Sequence, residues 1–513
     1  MARAAALGPD GLAVVFTWQR GTVPQTPSAV FECAAARELE RTLHAAGSHL
    51  TVLHTTGADA PRAVADVVAE LQSSVVVVDA SEQPEDVARL RSALDDNGGS
   101  SADVIAVEDD ALLRPFWQAV TAFGRRSWRG GKVLRWPLFL QRWVSEPVPQ
   151  PSPLPASLPP PLKPLQASTA PLPSPTAAGQ WAHGLLEQWG EVSEKEALRR
   201  ATLAGAAVQS TEGNRYGKKL ESKRDASRLS PYLRWGVISP RQAAAAGVNS
   251  LYLLWRDWSH VCYRLLPQLR EGQPIIDAFD GCCTVKEEHE SKEDESDSDG
   301  LLGTDAAFAR WCVGRTGAPI VDAGMRQLWQ EGWMPRHVRL QAACCLTEGL
   351  GIDWRRGRDW FAHTLIDHDP AINELMWQNA GIVGLDPFYR KEHWEADAKE
   401  PDEIEYVKHW SSIDLHWPSA LRQAAQKQLP DWEQVSAAAE ERRQALFAAG
   451  IYRRAYTMMN GGVRVLWPGK AADAGAIWGI GRTQLHSDKF AELLAPLDLR
   501  TRRERKETSD VAC

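Results

Sequence analysis

Short runs of β-branched and other apolar residues alternate with helical repeats over the first part of the chain. The apolar runs are residues 12–17, 49–54, 74–79 and 103–107. Between them, residues 28–46 and 61–72 place apolar side chains at the three- and four-residue spacing of a helix. Strands that alternate with helices are typical of a parallel sheet with helices on both faces. We therefore predict an α/β domain over residues 1–144.

From residue 179 onward, the hydrophobic pattern is almost entirely helical. Helical spacing recurs over residues 180–203, 238–270, 304–313, 320–350, 358–364, 370–383 and 431–450. No strand-like alternation interrupts these segments. The pattern predicts a second, all-helical domain over residues 179–500, followed by a charged tail over residues 501–513.

Two segments of biased composition divide the chain. Residues 145–178 are rich in proline, serine and alanine, which favours an extended, partly stiff linker. The same composition also suits a ligand of SH3-type domains, but a spacer is the preferred interpretation. Residues 286–299 read KEEHESKEDESDSD and predict an acidic, solvated insert within the helical domain.

Composition and charge narrow the class of protein. No run reaches the roughly eighteen apolar residues of a membrane span, and the N-terminus lacks the apolar core of a secretory signal. The eight cysteines include the adjacent pairs Cys282–Cys283 and Cys344–Cys345, a poor spacing for metal ligands or disulfides. Free thiols in an intracellular, reducing compartment are therefore expected. A net charge of −8 argues against coating by nucleic acid but permits a local basic groove.

Tryptophan is unusually abundant. The chain contains 22 tryptophans and eight tyrosines, and most of the tryptophans follow residue 180. A buried indole usually needs a partner for its N–H group. An aromatic cofactor, stacking surfaces or electron transfer would each explain this abundance, and so would a large core.

The segment LIDHDPAINELMWQNAG, residues 365–381, predicts a capped helix. Asp369 suits the N-cap position and Pro370 the first helical position. Asp369, Asn373 and Trp377 recur every four residues and so share one face of the helix. A polar, aromatic ligand would fit that face, but a capped helix with one buried tryptophan is the better explanation of this segment taken alone.

Longer motifs surround this helix. Residues 311–334 read WCVGRTGAPIVDAGMRQLWQEGWM, residues 226–239 read ASRLSPYLRWGVIS, and residues 253–258 read LLWRDW. Together with the capped helix, they resemble motifs of the cryptochrome/photolyase family in the family's order. The resemblance covers residues 180–395 by motif and the N-terminal domain by layout only. It implies an α/β domain followed by an all-helical domain that holds one FAD in a bent conformation.

The resemblance also assigns residues to that cofactor. They are Tyr216, Ser227, Arg228, Leu229, Ser230, Arg256, Arg339, Asp367, His368, Asp369 and Asn373. The segment from Ser227 to Ser230 is expected at the pyrophosphate, which hydroxyls, backbone N–H groups and cations would bind. Arg339 and Asp367 are expected to form an ion pair beside the isoalloxazine. The cation would stabilise a flavin that gains negative charge on reduction.

Light-driven reduction of the flavin is a further implication of the resemblance. Trp377 matches the tryptophan nearest the flavin and Trp354 the second in an electron-transfer chain. The third position aligns with Leu301, so either another nearby tryptophan ends the chain or photoreduction is impaired. Asn373 is expected near flavin N5, where an amide can form a hydrogen bond but cannot donate a proton as a carboxylic acid would.

Several residues depart from the pattern of the family's repair enzymes. Tyr252 occupies the position of a glutamate in the lesion pocket, so no carboxylate can assist a damaged pyrimidine there. Arg336 lies within a changed Met-His-Asn-Arg motif, and Asn379 replaces a tryptophan that would offer a stacking platform. Trp255 is retained. These four residues are the ones that the resemblance turns towards DNA or a lesion.

The sequence therefore predicts a flavoprotein that responds to blue light and is photoreduced through tryptophans. It would act on a signalling protein partner as a photoreceptor, or as an atypical photolyase that binds damaged DNA weakly. One alternative is the light-dependent repair of cyclobutane pyrimidine dimers, a carbon–carbon lyase reaction. Another is a helical scaffold without flavin. The first strand unit of the family is not recognised in the N-terminal domain, which argues against an antenna pigment.

Overall fold

The computed structural model describes most of both predicted domains. The described residues are 11–19, 21, 23–56, 59–79, 84–96, 102–107, 112–113, 139, 148, 150–151, 157–162, 171–210, 227–248, 250–274, 304–381, 398, 401–426, 437 and 441. The strands are β1 Val14–Trp18, β2 Leu50–His54, β3 Val75–Asp79 and β4 Asp103–Val107. The helices of the first domain are α1 Pro27–Ala45, α2 Ala60–Leu71 and α3 Pro84–Asp96.

The second domain is built from helices. They are α4 Gln180–Trp189, α5 Glu194–Ser210, α6 Ser230–Arg234, α7 Pro240–Ala245, α8 Ser250–Leu265, α9 Pro267–Arg270, α10 Thr304–Cys312, α11 Pro319–Glu331, α12 Arg336–Cys344, α13 Trp354–Thr364, α14 Pro370–Ala380, α15 Pro401–Ser412 and α16 Ser419–Ala424. A π-helical turn, Cys345–Gly349, continues α12. The predicted division into an α/β part and an all-helical part is confirmed.

The strands of the N-terminal domain pair in parallel, as the alternating pattern predicts. β1 pairs with β2 from Val14 opposite Leu50, and β3 pairs with β4 from Val75 opposite Asp103. Within the described residues these are two separate two-stranded sheets. Each strand begins within two residues of its predicted start, because the apolar runs themselves define the buried strands.

Three of the long helical segments are broken where the sequence pattern suggests continuity. Residues 180–203 form α4 and α5, because Gly190 takes a positive φ of 76° and ends α4. Residues 320–350 break between α11 and α12, where Gly332 is left-handed and Pro335 follows. Residues 238–270 form α7, α8 and α9. Residues 431–450 lie almost entirely outside the described part of the chain.

Helix α1 attaches the first domain to the second. Phe31 makes edge contacts with Trp189 and Tyr232 of the helical domain, at ring-centroid distances of 6.1 and 5.2 Å. Val30 and Phe31 are fully buried in the same hydrophobic cluster as α4 and α8. Burial of a large aromatic side chain contributes about 1.5–3 kcal/mol, so this contact contributes to holding the domains together.

The end of the proline-rich linker is packed against α1. Leu172 is 2% exposed and belongs to the core of the N-terminal domain. Arg37 donates hydrogen bonds to the carbonyl oxygens of Leu172 and Pro173, and the Cys33 thiol donates to Pro173. These contacts anchor the linker before it enters α4.

Other predictions fall partly or wholly outside the described residues. The acidic insert, residues 286–299, and the tail, residues 501–513, lie outside them. Five cysteines are described, and all five are buried free thiols. None of the helices in the described ranges has the length and hydrophobicity that a bilayer span requires.

Candidate cofactor site

The capped start of α14 is the centre of the candidate site. The Oδ1 atom of Asp369 accepts hydrogen bonds from the backbone N–H groups of Ala371 and Ile372, at 3.1 and 3.2 Å. Its Oδ2 atom lies 2.8 Å from Nη1 of Arg256 and 2.9 Å from Nε2 of His260. The three charged or polar side chains are all buried. One carboxylate therefore caps α14 and also serves as counter-ion to α8.

This environment changes the acidity of Asp369. Burial alone would raise the pKa of the carboxyl group, but the neighbouring His260 and Arg256 hold that pKa well below its ordinary value. A group with a lowered pKa stabilises the folded state above its unfolded pKa of about 3.9, and that stability is lost as the pH falls towards the folded pKa.

We therefore expect acid to destabilise the protein partly through Asp369. The free energy of unfolding should fall as the pH is lowered below about 4. In Asp369→Asn this part of the pH dependence should be absent, although the variant should be less stable at neutral pH. Denaturant titrations at a series of pH values would measure it, and an identical acid slope in both proteins would contradict the assignment.

An ion pair joins α12 to the turn before α14. Nη2 of Arg339 lies 3.0 and 3.3 Å from the two carboxylate oxygens of Asp367, and its Nε donates to the carbonyl of Met334. The Asp367 side chain is 4% exposed and that of Arg339 is 25% exposed. Nε of Arg234 donates a hydrogen bond of 2.7 Å to the carbonyl oxygen of His368, the residue after Asp367. This turn is thus fixed by two arginines, and both remain partly accessible.

Arg228 is buried between two indoles. Its guanidinium carbon lies 4.1 Å from the ring centroid of Trp189 and 5.4 Å from that of Trp333. Its Nη2 atom lies 3.4 Å from the Glu331 carboxylate, yet neither Nε nor Nη2 forms a hydrogen bond within the described ranges. Its backbone is left-handed, with φ of 48°. The resemblance assigns Arg228 to the pyrophosphate. In the structure, its side chain lies against these two indoles and beside Glu331.

Buried guanidinium N–H groups without acceptors are costly. Oxygens of an anionic ligand would satisfy them, so the donor set of Arg228 fits a cofactor that carries a pyrophosphate. Beside Arg228, Leu229 is buried, while Ser227 and Ser230 are half-buried. Tyr216 lies outside the described residues.

Trp377 and Trp354 lie in one hydrophobic cluster beneath α14. The Trp377 ring is 5.0 Å from Phe361 and 6.1 Å from Trp311, both in edge contact. Gly357 is required here, because a Cβ atom at that position would lie 2.2 Å from the Trp377 ring. The predicted pair of tryptophans is therefore brought together, and Trp311 adds a third indole. The Leu301 position lies outside the described residues.

Asn373 has a defined orientation. Its Nδ2 atom donates to the carbonyl of Arg358 at 3.0 Å, and the residue is 8% exposed. Asn373, Asp369 and Trp377 lie along one side of α14, as the four-residue spacing predicts. The amide is thus held by α13 instead of rotating freely.

Three of the residues expected to face DNA are packed against other side chains or buried in the core. The Arg336 guanidinium lies 4.9 Å from the ring centroid of Trp255, whose edge also meets Trp258 at 5.0 Å. Asn379 is completely buried, so its side chain does not line an accessible surface. The side chain of Tyr252 lies outside the described residues.

Sequence reasoning did not identify two partners within this site. His260 pairs with Asp369, and Glu331 lies beside Arg228. The spacing carried one signal, since His260 follows Arg256 by four residues on α8 and shares its face. Glu331 offered no such signal, because it approaches Arg228 only through tertiary folding.

Comparisons with known proteins agree with this geometry. Residues 251–448 match the model of the FAD binding domain of DNA photolyase. A deoxyribodipyrimidine photo-lyase from Agrobacterium fabrum is 37% identical over 196 residues, which cover 35% of this chain and 36% of that protein. Over this part, the chain is similar to the cryptochrome/photolyase family. Its helical part is an FAD-binding domain, and FAD is the cofactor that the match identifies.

Solved structures show the same fold over a longer part of the chain. A class III photolyase from Agrobacterium tumefaciens has a TM-score of 0.61 at 24% identity and covers 87% of this chain and 94% of that one. A Synechocystis cryptochrome has a TM-score of 0.61 at 19% identity, with coverages of 86% and 94%. By sequence, the chain matches well under half the length of the curated photolyases. The fold is therefore shared, while sequence similarity is concentrated in the FAD-binding part.

Proposed function

We propose that this protein is a flavoprotein photoreduced by blue light, acting as a photoreceptor or as an atypical photolyase. The observation that carries the proposal is the position of Trp377. Its indole lies on the same side of α14 as Asp369 and Asn373 and contacts further aromatic rings within the core. Bound FAD would supply the chromophore and accept the electron.

The chain's own residues would bind the cofactor, orient it and supply an electron. Arg228 would bind the pyrophosphate through its buried N–H groups, and the partly exposed Arg339 would place a positive charge beside the isoalloxazine. Asp367 would hold Arg339 in position.

Asn373 would offer an amide near the ring, and its hydrogen bond to the carbonyl of Arg358 fixes its direction. Trp377 would supply the electron that the flavin takes up, and Trp354 would in turn supply one to the oxidised Trp377.

Repair of cyclobutane pyrimidine dimers is the second candidate, because the curated relatives are deoxyribodipyrimidine photo-lyases. Two observations weigh against it. Arg336 covers the Trp255 ring, and Asn379 is buried where a stacking residue would be useful. A receptor would instead couple the flavin's state to a protein partner.

Two measurements distinguish these functions. The purified protein should be yellow, and blue light in the presence of a thiol should bleach its flavin absorption. Thymine-dimer DNA should remain unrepaired in the light under the same conditions. Light-dependent repair would establish the photolyase, whereas a colourless protein after incubation with excess FAD would support the flavin-free scaffold.

We expect the Arg339–Asp367 ion pair to control FAD occupancy. Arg339→Ala leaves the nearly buried Asp367 carboxylate uncompensated, so FAD should bind about tenfold more weakly or worse. Arg355→Ala is a matched control, because Arg355 forms a 3.0 Å pair with Asp353 in which both side chains are about a third exposed. Flavin content per protein after dialysis measures both. Full occupancy in Arg339→Ala would contradict the role.

A further inference from the structure

Three indoles form a stacked array on one side of the helical domain. The Trp329 ring lies 5.9 Å from Trp360 at an interplanar angle of 9°, and 4.8 Å from Trp417 at 24°. We call these three residues the indole stack. Trp360 comes from α13, Trp329 from α11, and Trp417 from the segment before α16. Near-parallel stacking of three indoles lets their π-systems share a positive charge.

The indole stack lies next to the cluster that holds Trp377. Trp360 packs against that cluster and also against the one that contains Trp417. It precedes Phe361, whose ring touches Trp377 at 5.0 Å. A rise of 1.5 Å per residue places the Cα atoms of Trp360 and Trp354 about 9 Å apart along α13. Trp360 therefore lies on the same helix as Trp354 and is followed in sequence by a ring that contacts Trp377.

Local charge favours movement of a positive charge away from Trp354. The guanidinium groups of Arg355 and Arg358 lie 4.9 and 5.4 Å from the Trp354 ring centroid. Asp353 partly offsets the charge of Arg355, and Asp359 and Glu374 partly offset that of Arg358, so the two cations raise the energy of an oxidised, positively charged indole only modestly. No cation is placed over a ring of the indole stack in the described part of the chain.

The stack also reaches the surface. Trp329 is half-buried, and its Nε1–H donates to the carbonyl of His416 at 3.0 Å, which stabilises a positive indole. Trp360 keeps its Nε1–H buried without an acceptor among the described residues. Leaving this N–H group buried without an acceptor costs free energy, which packing of the ring alone does not explain.

We propose that the indole stack is the terminal electron donor for Trp377, which extends the proposed function and rests on it. With FAD bound, Trp377 would give one electron to the light-excited, oxidised flavin. One electron then passes from the stack to the oxidised core indole, which returns to neutral tryptophan. The stack would be left oxidised by one electron, and a thiolate in solution would return that electron and become a thiyl radical; two such events, with two protons released to solvent, would join the two sulfur atoms as one disulfide. This assigns an exit for the charge that does not use the Leu301 position.

Time-resolved absorption of oxidised tryptophan tests the assignment in the full-length protein with FAD bound. In Trp360→Phe and Trp329→Phe, the charge stays in the core and recombines, so the oxidised indole should decay about tenfold faster or more. Photoreduction with dithiothreitol should slow correspondingly. Trp181→Phe is the control, because Trp181 is 44% exposed and lies outside the stack. Near-UV circular dichroism checks that each variant retains its fold.

The outcomes separate this inference from the proposed function. If Trp377→Phe abolishes photoreduction while both stack variants decay as the wild type does, the charge leaves by another route and the inference fails alone. If the wild-type holoprotein is not photoreduced at all, both fail. A loss in Trp181→Phe equal to that in Trp329→Phe would also overturn the assignment.

Discussion

Asp369→Ala is expected to destabilise the helical domain by about 3–5 kcal/mol, because it removes one partner of a buried charge cluster. Arg256 and His260 would then lie buried without their counter-ion, at 7% and 2% exposure. The N-cap of α14 would also be lost, which by itself costs about 0.5–2 kcal/mol. FAD content should fall with stability. Denaturant unfolding, followed by far-UV circular dichroism, measures the effect.

Asp353→Ala provides a matched control. Asp353 caps α13 by accepting from the N–H of Arg355 at 2.7 Å, and it pairs with the same residue's guanidinium at 3.0 Å. Both side chains are about a third exposed, so the pair contributes little and the variant should lose only about 1 kcal/mol. Equal losses in the two variants would show that Asp369 acts as a cap alone.

Trp377→Phe should slow flavin photoreduction by about tenfold or more, because phenylalanine cannot supply an electron at the potential of an indole. Phe fills most of the space of Trp377, which is 2% exposed, so the core should remain folded. The measurement is the rate at which flavin absorption bleaches under constant blue light with a thiol present.

Trp258→Phe is the corresponding control for Trp377. Trp258 is fully buried, but it belongs to the other large cluster, beside Trp255. The substitution removes the same atoms from a similar environment and should leave the rate unchanged. An unchanged rate in Trp377→Phe would refute the electron-transfer role, and a loss in both variants would point to packing.

Local sequence determines much of the architecture. The apolar runs specify β1 to β4, because a buried parallel strand needs little besides β-branched and apolar residues. Asp369 followed by Pro370 specifies the start of α14, since the cap and the fixed φ of proline act within one turn. The four-residue spacing likewise places Asp369, Asn373 and Trp377 on one side of that helix.

Only the tertiary structure decides which partners these side chains meet. His260 reaches Asp369 across 109 residues, and Trp329 meets Trp360 and Trp417 from different helices. The position of Arg228 against two indoles likewise depends on how helices cross, whereas the breaks at Gly190 and Gly332 follow locally from glycines whose positive φ ends a helix. The physical reason is range: caps, strands and helical faces depend on neighbours within a turn or two, whereas ion pairs and ring stacks depend on the packing of distant segments.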